Sequence, residues 1–345
     1  MKRAPIIALF LRKMMLSSKS FIVGCIVIFV ACNSLTHDDL ENEQATDNPN
    51  IEQNKNPIVS LVVLGTVQDA GSPHMACQKG CCKELFEFPD PKRKVVALGL
   101  IDHEEEKTFL FEASPDMITQ AKQLKVLANF GASEVPDGIF LTHAHIGHYS
   151  GLIYLGKEAM NADKVKVFAM PRMQYFLENN GPWDQLVKLG NIDIQHIQAD
   201  SLVSLTNNIQ VEPFIVPHRD EYSETVGYRI ITSHKTVLFI PDIDKWEKWE
   251  KNIVEEISSV DYAFIDATFY NANEVNNRDI SEIPHPLVIE SMNLFDQLSL
   301  TEKQKIHFIH FNHTNPLLND RSEASRYVKS KGYQVPTIDL PLTLK

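Results

Sequence analysis

From residue 58 to its last residue, the sequence predicts a single α/β domain in which strands and helices form layers. Short apolar runs alternate with amphipathic stretches of helical length along this region, which is the pattern of layered α/β proteins. No segment repeats at a fixed period, and no second polar linker interrupts the region. A composition of 43% hydrophobic and 23% charged residues is ordinary for a globular protein. We therefore predict one domain over residues 58–345.

The elements follow from the local patterns. Strands are expected where short apolar runs are rich in Val, Ile, Phe and Thr, at residues 58–65, 95–101, 108–111, 138–142, 165–170, 209–216, 226–232, 236–240, 261–265, 306–311 and 334–338. Helices are expected where apolar residues recur at helical spacing, at residues 116–128, 150–160, 172–180, 245–257, 287–297 and 320–331.

The N-terminus has a different character. Residues 1–32 contain five basic and no acidic residues, and an apolar run at 21–31 leads into Cys32. A basic stretch followed by a short apolar core is typical of an export signal and is too short to span a bilayer comfortably. The end of this run resembles a bacterial lipoprotein cleavage box, so we predict a signal peptide over 1–32 and lipidation of Cys32.

Two alternatives to Cys32 stay open at this point. Cys25 follows a closer literal match to the cleavage box, but cleavage there would leave the apolar residues 26–31 at the start of the mature chain. An uncleaved membrane anchor or an ordinary secretory signal is the other alternative. Each of these interpretations places the domain outside the cytoplasm, and the lipid anchor is expected to hold it to the cell envelope, on the periplasmic side or the cell surface.

Residues 33–57 are rich in Asn, Glu, Gln and Asp and predict a flexible tether, because they cannot bury a core. Removing residues 1–32, with their five positive charges, takes the formal net charge from −12 to −17. Such acidity argues against nucleic acid as a partner and against binding to anionic lipid by charge. The expected membrane contact is the lipid anchor alone; the oligomeric state is not indicated.

Three histidines within six residues are the strongest chemical signal. His143, His145 and His148 follow the predicted strand 138–142. In an extended segment residues i and i+2 point the same way, so His143 and His145 can converge on one ion. Neutral imidazole is a common ligand of zinc. The alternative is a solvated histidine-rich loop.

This segment resembles the His-x-His-x-Asp-His signature of the metallo-β-lactamase superfamily, whose fold is an αββα four-layer sandwich. The resemblance implies further ligands downstream, and His218, Asp242 and His310 each lie at or near the end of a predicted strand. It assigns one metal to His143, His145, His218 and Asp242, and a second to His148, Asp242 and His310. Asp242 would then bridge the two ions.

Gly147 departs from the signature, because the superfamily has Asp at this position. Glycine has no side chain, so the second metal is expected to lose one oxygen ligand. We therefore expect one firmly bound ion and a labile second ion, with zinc as the first candidate and manganese or iron as alternatives.

Three cysteines, Cys77, Cys81 and Cys82, remain in the folded region. An odd number cannot all pair within the chain, and three thiolates this close suit one structural zinc. His313 is the candidate fourth ligand, and His74 is the alternative. The cyclic phosphodiesterase branch of phosphonate breakdown has a similar layout. A disulfide with one free thiol remains open.

Four stretches, at 64–66, 113–116, 266–269 and 310–316, resemble the pyrroloquinoline-quinone biosynthesis protein B family. That family typically has a degraded first histidine motif, whereas this chain keeps three of its histidines. The resemblance to the metallo-β-lactamase superfamily implies a metal-dependent hydrolase that activates water against a phosphodiester- or ester-like small molecule. The alternatives are an iron-dependent oxidative enzyme related to maturation of the pyrroloquinoline-quinone cofactor and a non-catalytic metal- or ligand-binding lipoprotein.

Two residues outside the ligand set have expected roles. His285 is expected either to protonate a leaving group or to be a plain loop histidine. Glu112 closes the predicted strand 108–111, where the superfamily often has a buried acid that supports the metal loop.

Overall fold

The computed structural model describes residues 58–275 and 283–345. The predicted signal peptide, the tether, Cys25 and Cys32 lie outside these residues. No helix in the described part of the chain has the length and apolar character needed to cross a membrane.

Thirteen strands are present in the described residues. They are β1 (Val59–Gly65), β2 (Ala97–Asp102), β3 (Lys107–Phe111), β4 (Gly138–Phe140), β5 (Val165–Ala169), β6 (Ile192–His196), β7 (Val203–Ser204), β8 (Gln210–Ile215), β9 (Val226–Ile231), β10 (Thr236–Ile240), β11 (Tyr262–Asp266), β12 (Ile306–Ile309) and β13 (Pro341–Thr343).

Nine α-helices lie in the same residues. They are α1 (Gly80–Lys83), α2 (Met117–Ala128), α3 (Ile146–Tyr149), α4 (Pro171–Asn179), α5 (Trp183–Lys188), α6 (Ile253–Ser258), α7 (Val288–Leu294), α8 (Leu300–Gln304) and α9 (Glu323–Ser330). Single turns of 3₁₀ helix cover Glu84–Phe86, Trp246–Lys248, Ala272–Glu274 and Pro316–Leu318, and a longer one covers Ser150–Leu155.

The strands form two sheets. The first has the order β13-β1-β2-β3-β4-β5-β6 and the second has the order β12-β11-β10-β9-β8-β7. In the first sheet β1 and β2 are antiparallel, β2 and β3 are antiparallel, and β3 to β6 are parallel. In the second sheet β10, β11 and β12 are parallel, whereas β9 is antiparallel to both β8 and β10.

Three apolar clusters separate four layers, which are the two sheets and a layer of helices on the outer face of each sheet. One cluster joins inward-facing residues of both sheets, such as Leu61, Phe140 and Tyr228. The second lies between the first sheet and α2, α4 and α5, and the third lies between the second sheet and α6, α7 and α9. Within β1, Leu61 and Val63 belong to the first cluster, while Val62 and Leu64 belong to the second, as the period of two in a strand requires. The predicted αββα sandwich is confirmed.

Several predicted elements differ from the structure. Residues 334–338 form no strand: Gln334 makes an isolated bridge to His307, and Pro336 has no N–H to continue a ladder. The helix expected at 245–257 is divided into a 3₁₀ turn at Trp246–Lys248 and the helix α6. The division occurs because the Asn252 side chain accepts a hydrogen bond from Val254 N and so caps the start of α6. The helix expected at 150–160 is a 3₁₀ turn that ends at Leu155.

Candidate metal centre

The candidate ligands follow the carboxyl ends of strands that run in the same direction. In the first sheet β1, β3 and β4 run in the same direction, and in the second sheet β8, β10, β11 and β12 do. The carboxyl ends of such strands meet at one edge of a sheet. The residues that follow these ends include Asp69, Glu112, His143, His145, His148, His218, Asp242 and His310.

The first set consists of His143, His145, His218 and Asp242. Asp242 Oδ2 lies 3.4 Å from His143 Nε2, 4.0 Å from His145 Nδ1 and 3.2 Å from His218 Nε2. His218 Nε2 is 3.3 Å from His145 Nδ1. The structure thus brings together all four residues that the superfamily resemblance assigned to one ion.

The second set shares Asp242 with the first. Asp242 Oδ2 lies 3.8 Å from His148 Nε2 and 3.9 Å from His310 Nε2. A carboxylate that the sequence analysis did not single out, Asp69, completes the set. The second set therefore does not lack the oxygen donor that Gly147 led us to expect it would lose. The only signal in the sequence was an acid shortly after a predicted strand.

These atoms fit divalent cations. Tetrahedral ligands about 2.0–2.1 Å from zinc lie about 3.4 Å from one another, close to the spacings found here. Ring nitrogens of three buried residues, His143 Nε2, His148 Nε2 and His310 Nε2, have no hydrogen-bond partner within the described residues. Buried polar atoms without partners are costly, and a cation in each of the two sets would give these nitrogens a partner.

Contacts behind the candidate ligands hold their rings in place. His148 Nδ1 lies 3.3 Å from Glu112 Oε1, and His145 Nε2 lies 3.1 Å from Glu221 Oε2. Such outer carboxylates orient metal-binding histidines and raise their basicity. Thr142 Oγ1 contacts His143 Nδ1 at 2.9 Å, and Thr268 Oγ1 contacts His310 Nδ1 at 2.8 Å. In His143, His145, His148 and His310, one ring nitrogen therefore contacts a supporting side chain and the other faces the shared carboxylate.

Two of these residues have strained backbone. Glu112 has φ of 81° and His310 has φ of 64°, a left-handed region that side chains other than glycine seldom adopt. Both are fully buried. Strain of this kind persists only where the surroundings impose it and is concentrated at functional sites.

The electrostatics of two of the donors, Asp242 and His143, suit the binding of a cation. Burial raises the pKa of Asp242, but the charges of His218, His285 and His310 outweigh burial and hold that pKa well below its usual range. Burial, together with the charge of His148, lowers the pKa of His143 well below its usual range. Asp242 is thus ionised and His143 neutral, which are the forms that bind a cation.

His285 is buried against the centre and is not a free loop residue. Its Nδ1 lies 3.1 Å from Asp242 Oδ1 and 2.9 Å from Asp266 Oδ2. Burial opposes its charge, but the carboxylates of Asp266 and Asp242 raise the pKa of His285 to about 10. The contact with Asp266 is a direct hydrogen bond, so a carboxylate behind the centre holds the ring of His285.

The cysteine cluster lies in the segment that includes α1. Cys81 Sγ lies 3.8 Å from Cys77 Sγ and 3.9 Å from Cys82 Sγ, far beyond the about 2.05 Å of a disulfide, so all three thiols are free. Zinc ligands with bonds of about 2.3 Å would be about 3.8 Å apart. Burial and the neighbouring sulfurs raise the pKa of Cys81 to about 12.

His313 joins this thiol cluster, whereas His74 does not. The Nδ1 atom of His313 is buried without a hydrogen-bond partner among the described residues. His74 instead has its Nδ1 2.8 Å from the Met75 carbonyl oxygen and stacks on His313, with ring centroids 4.4 Å apart. The geometry therefore favours His313 over His74 as fourth donor.

Comparison with known proteins gives one consistent result. Coenzyme PQQ synthesis protein B of Gluconobacter oxydans is 23% identical over 303 residues, which cover 81% of this chain and 96% of that relative. Zinc-bound PqqB of Methylobacterium extorquens has a similar fold, with a TM-score of 0.65 and 21% identity over 82% of this chain and 99% of the other. A diphosphatase of the PhnP family gives a TM-score of 0.58 with 18% identity, covering 82% and 96%.

The beta-lactamase superfamily domain model matches residues 107–311, more than half of the chain. The matched region begins at β3 and ends just after His310, so it includes every donor of the two sets except Asp69. The chain therefore belongs to the metallo-β-lactamase superfamily, through its beta-lactamase superfamily domain.

Proposed function

We propose that this protein is a metal-dependent hydrolase that acts on a phosphodiester- or ester-like small molecule. One observation carries the proposal: Asp242 Oδ2 is shared by two sets of donors, with histidine nitrogens of both sets 3.2–4.0 Å away. Two adjacent cation positions that share a carboxylate are typical of enzymes that cleave phosphate esters. We propose zinc as the cation, with Mn²⁺ or Fe²⁺ as alternatives.

Divalent ions in these positions would supply Lewis acidity and lower the pKa of water towards neutrality. The residues of the chain have separate tasks. Asp242 contributes the negative charge that both positions share, and His143 contributes a neutral nitrogen. Glu112 and Glu221 orient the rings of His148 and His145, so that the donors are preorganised before a substrate arrives.

His285 is the proposed proton donor to the leaving group. Its Nδ1 is occupied by Asp242 and Asp266, so Nε2 is the nitrogen that is available to a substrate. The side chain keeps 11% exposure, which distinguishes it from the fully buried rings of His148 and His310. A general acid needs this combination of a fixed ring and one accessible nitrogen.

The comparisons support a hydrolase without naming its substrate. The similar diphosphatase of the PhnP family acts on a phosphate linkage, as its name states. Because relatives are named for coenzyme PQQ synthesis, the second candidate that we propose is an iron-dependent oxidative enzyme related to the maturation of that cofactor. Iron content with oxygen consumption would support that candidate, whereas zinc or manganese without oxygen consumption would support hydrolysis.

The proposed hydrolase activity is tested with a panel of chromogenic phosphodiesters, carboxylic esters and lactams. We expect chelator-sensitive turnover of a phosphodiester or an ester, and a His145→Ala variant whose kcat/KM is at least about 100-fold lower, since even residues that support a metal ligand contribute about 10- to 100-fold. His196→Ala, which removes an exposed histidine at the end of β6, is the matched control and should keep full activity.

Two results would overturn the proposal. Turnover that is unchanged in His145→Ala would place the chemistry elsewhere. No turnover on any class of the panel, with metal bound, would favour a metal- or ligand-binding protein without catalysis.

A further inference from the structure

Position 147 has no space for any side chain. A Cβ built on Gly147 would lie 1.9 Å from Asp69 Cβ and 2.4 Å from Asp69 Cα. Contacts this short to a backbone atom cannot be relieved by a side-chain rotation. The segment that follows β1 thus crosses directly over Gly147, and its own aspartate lies where a side chain on residue 147 would begin.

The Asp69 carboxylate faces the second donor set. Asp69 Oδ1 lies 3.4 Å from His310 Nε2 and 3.9 Å from His148 Nε2. Both nitrogens are completely buried and lack a hydrogen-bond partner within the described residues. With Asp242 Oδ2 they form a group of four donors, all within 4.8 Å of one another.

We propose that Asp69 is the carboxylate ligand of the second cation and replaces the acid that position 147 cannot carry. This inference rests on the proposed two-cation site. It makes the second position a set of two imidazoles and two carboxylates, suited to a divalent cation that accepts both nitrogen and oxygen, such as Zn²⁺, Mn²⁺ or Fe²⁺. The exchange of Asp for Gly in the histidine motif is then a relocation of the ligand and not its loss.

Backbone pairing holds Asp69 against His310. Gln68 N donates to the Phe311 carbonyl oxygen at 2.9 Å, and Phe311 N donates to the Thr66 carbonyl oxygen at 2.7 Å. The residues next to Asp69 and His310 are therefore hydrogen-bonded to each other. Gln68 Nε2 also donates to Asp69 Oδ1 at 2.6 Å, which fixes the carboxylate as supporting contacts fix a ligand.

The test is the metal content of the full-length protein and its variants after dialysis, measured by elemental analysis together with Co²⁺ titration. Asp69→Asn keeps the shape of the side chain and removes its charge. We expect it to lose one ion per chain, with at least about 100-fold weaker Co²⁺ binding at that position, since a direct ligand contributes at least as much as a supporting one. The cysteine cluster and the first set should stay loaded.

Two further variants sharpen this test. Gly147→Ala should lose the same ion although it removes no donor atom, because its methyl group would displace Asp69. Asp90→Asn, a carboxylate that pairs with Arg93 and is 41% exposed, is the matched control and should keep the wild-type content.

Each outcome decides between the alternatives. Asp69→Asn that keeps the wild-type number of ions with unchanged Co²⁺ affinity would overturn the role of Asp69 and leave the proposed hydrolase intact. Wild-type protein with no ion outside the cysteine cluster would overturn both. Because metal content is measured without a substrate, a failure to find turnover leaves the test of Asp69 valid.

Discussion

Replacing Asp242 with Asn is expected to reduce turnover by at least about 10³-fold, because cations and the water they activate contribute several kcal/mol to the transition state, and each 1.36 kcal/mol is a factor of ten. The physical reason is the position of Oδ2. It lies within 4.0 Å of one nitrogen on each of five histidines, so its charge serves both cation positions. An amide has the same shape without the charge.

Bound metal should fall in parallel with activity. Elemental analysis of Asp242→Asn is expected to show at most one ion in the histidine sets, while the ion of the cysteine cluster remains. Asp244→Asn is the matched control, since it removes a carboxylate that pairs with Lys248 on the same loop and should change neither value. A folded Asp242→Asn protein that keeps both ions and more than a tenth of its activity would contradict the shared role of this residue.

His285 should matter most for substrates with poor leaving groups. General acid catalysis contributes about 10²- to 10⁴-fold, so His285→Asn should lose that much kcat/KM on an alkyl ester of phosphate. A substrate that releases an acidic phenol needs little protonation and should lose far less. The Asn side chain can still donate to Asp242 and Asp266 from near the place of Nδ1, so metal content should not change.

The comparison of the two substrates separates two roles of His285. A similar loss on both substrates would show that His285 positions Asp242 and does not protonate the leaving group. His285→Gln serves as a second variant, since its amide lies nearer the place of Nε2 and leaves the carboxylates without their donor. It should lose metal as well as activity.

Local patterns predicted most of the sheet structure because burial on both faces gives strands continuous apolar runs. β1 is such a run, with neighbouring residues in two different clusters. β6 was not predicted, since it contains only two apolar residues, Ile192 and Ile194, at a sheet edge. The strand expected at 334–338 was wrong, because apolar content cannot compensate for the missing N–H of Pro336.

The candidate site, too, was predicted only where its signal lies within one segment or in the order of residues along the chain. His143, His145 and His148 were found from spacing within one segment, and His218, Asp242 and His310 from their order in the superfamily. Asp69 could not be found in either way. Its link to Gly147 is a contact between two segments far apart in sequence, and only the fold shows that one residue fills the space that the other leaves open.

We propose that the chain has two cation positions that share Asp242 and a third, separate ion held by the cysteine cluster. This claim is tested most directly by elemental analysis of the full-length protein, purified without added metal. The two donor sets that share Asp242 and the cysteine set predict about three divalent ions per chain, with the two ions of the histidine sets lost when Asp242 and His145 are replaced. A single ion per chain that is retained in those variants and lost in Cys81→Ser would contradict the claim.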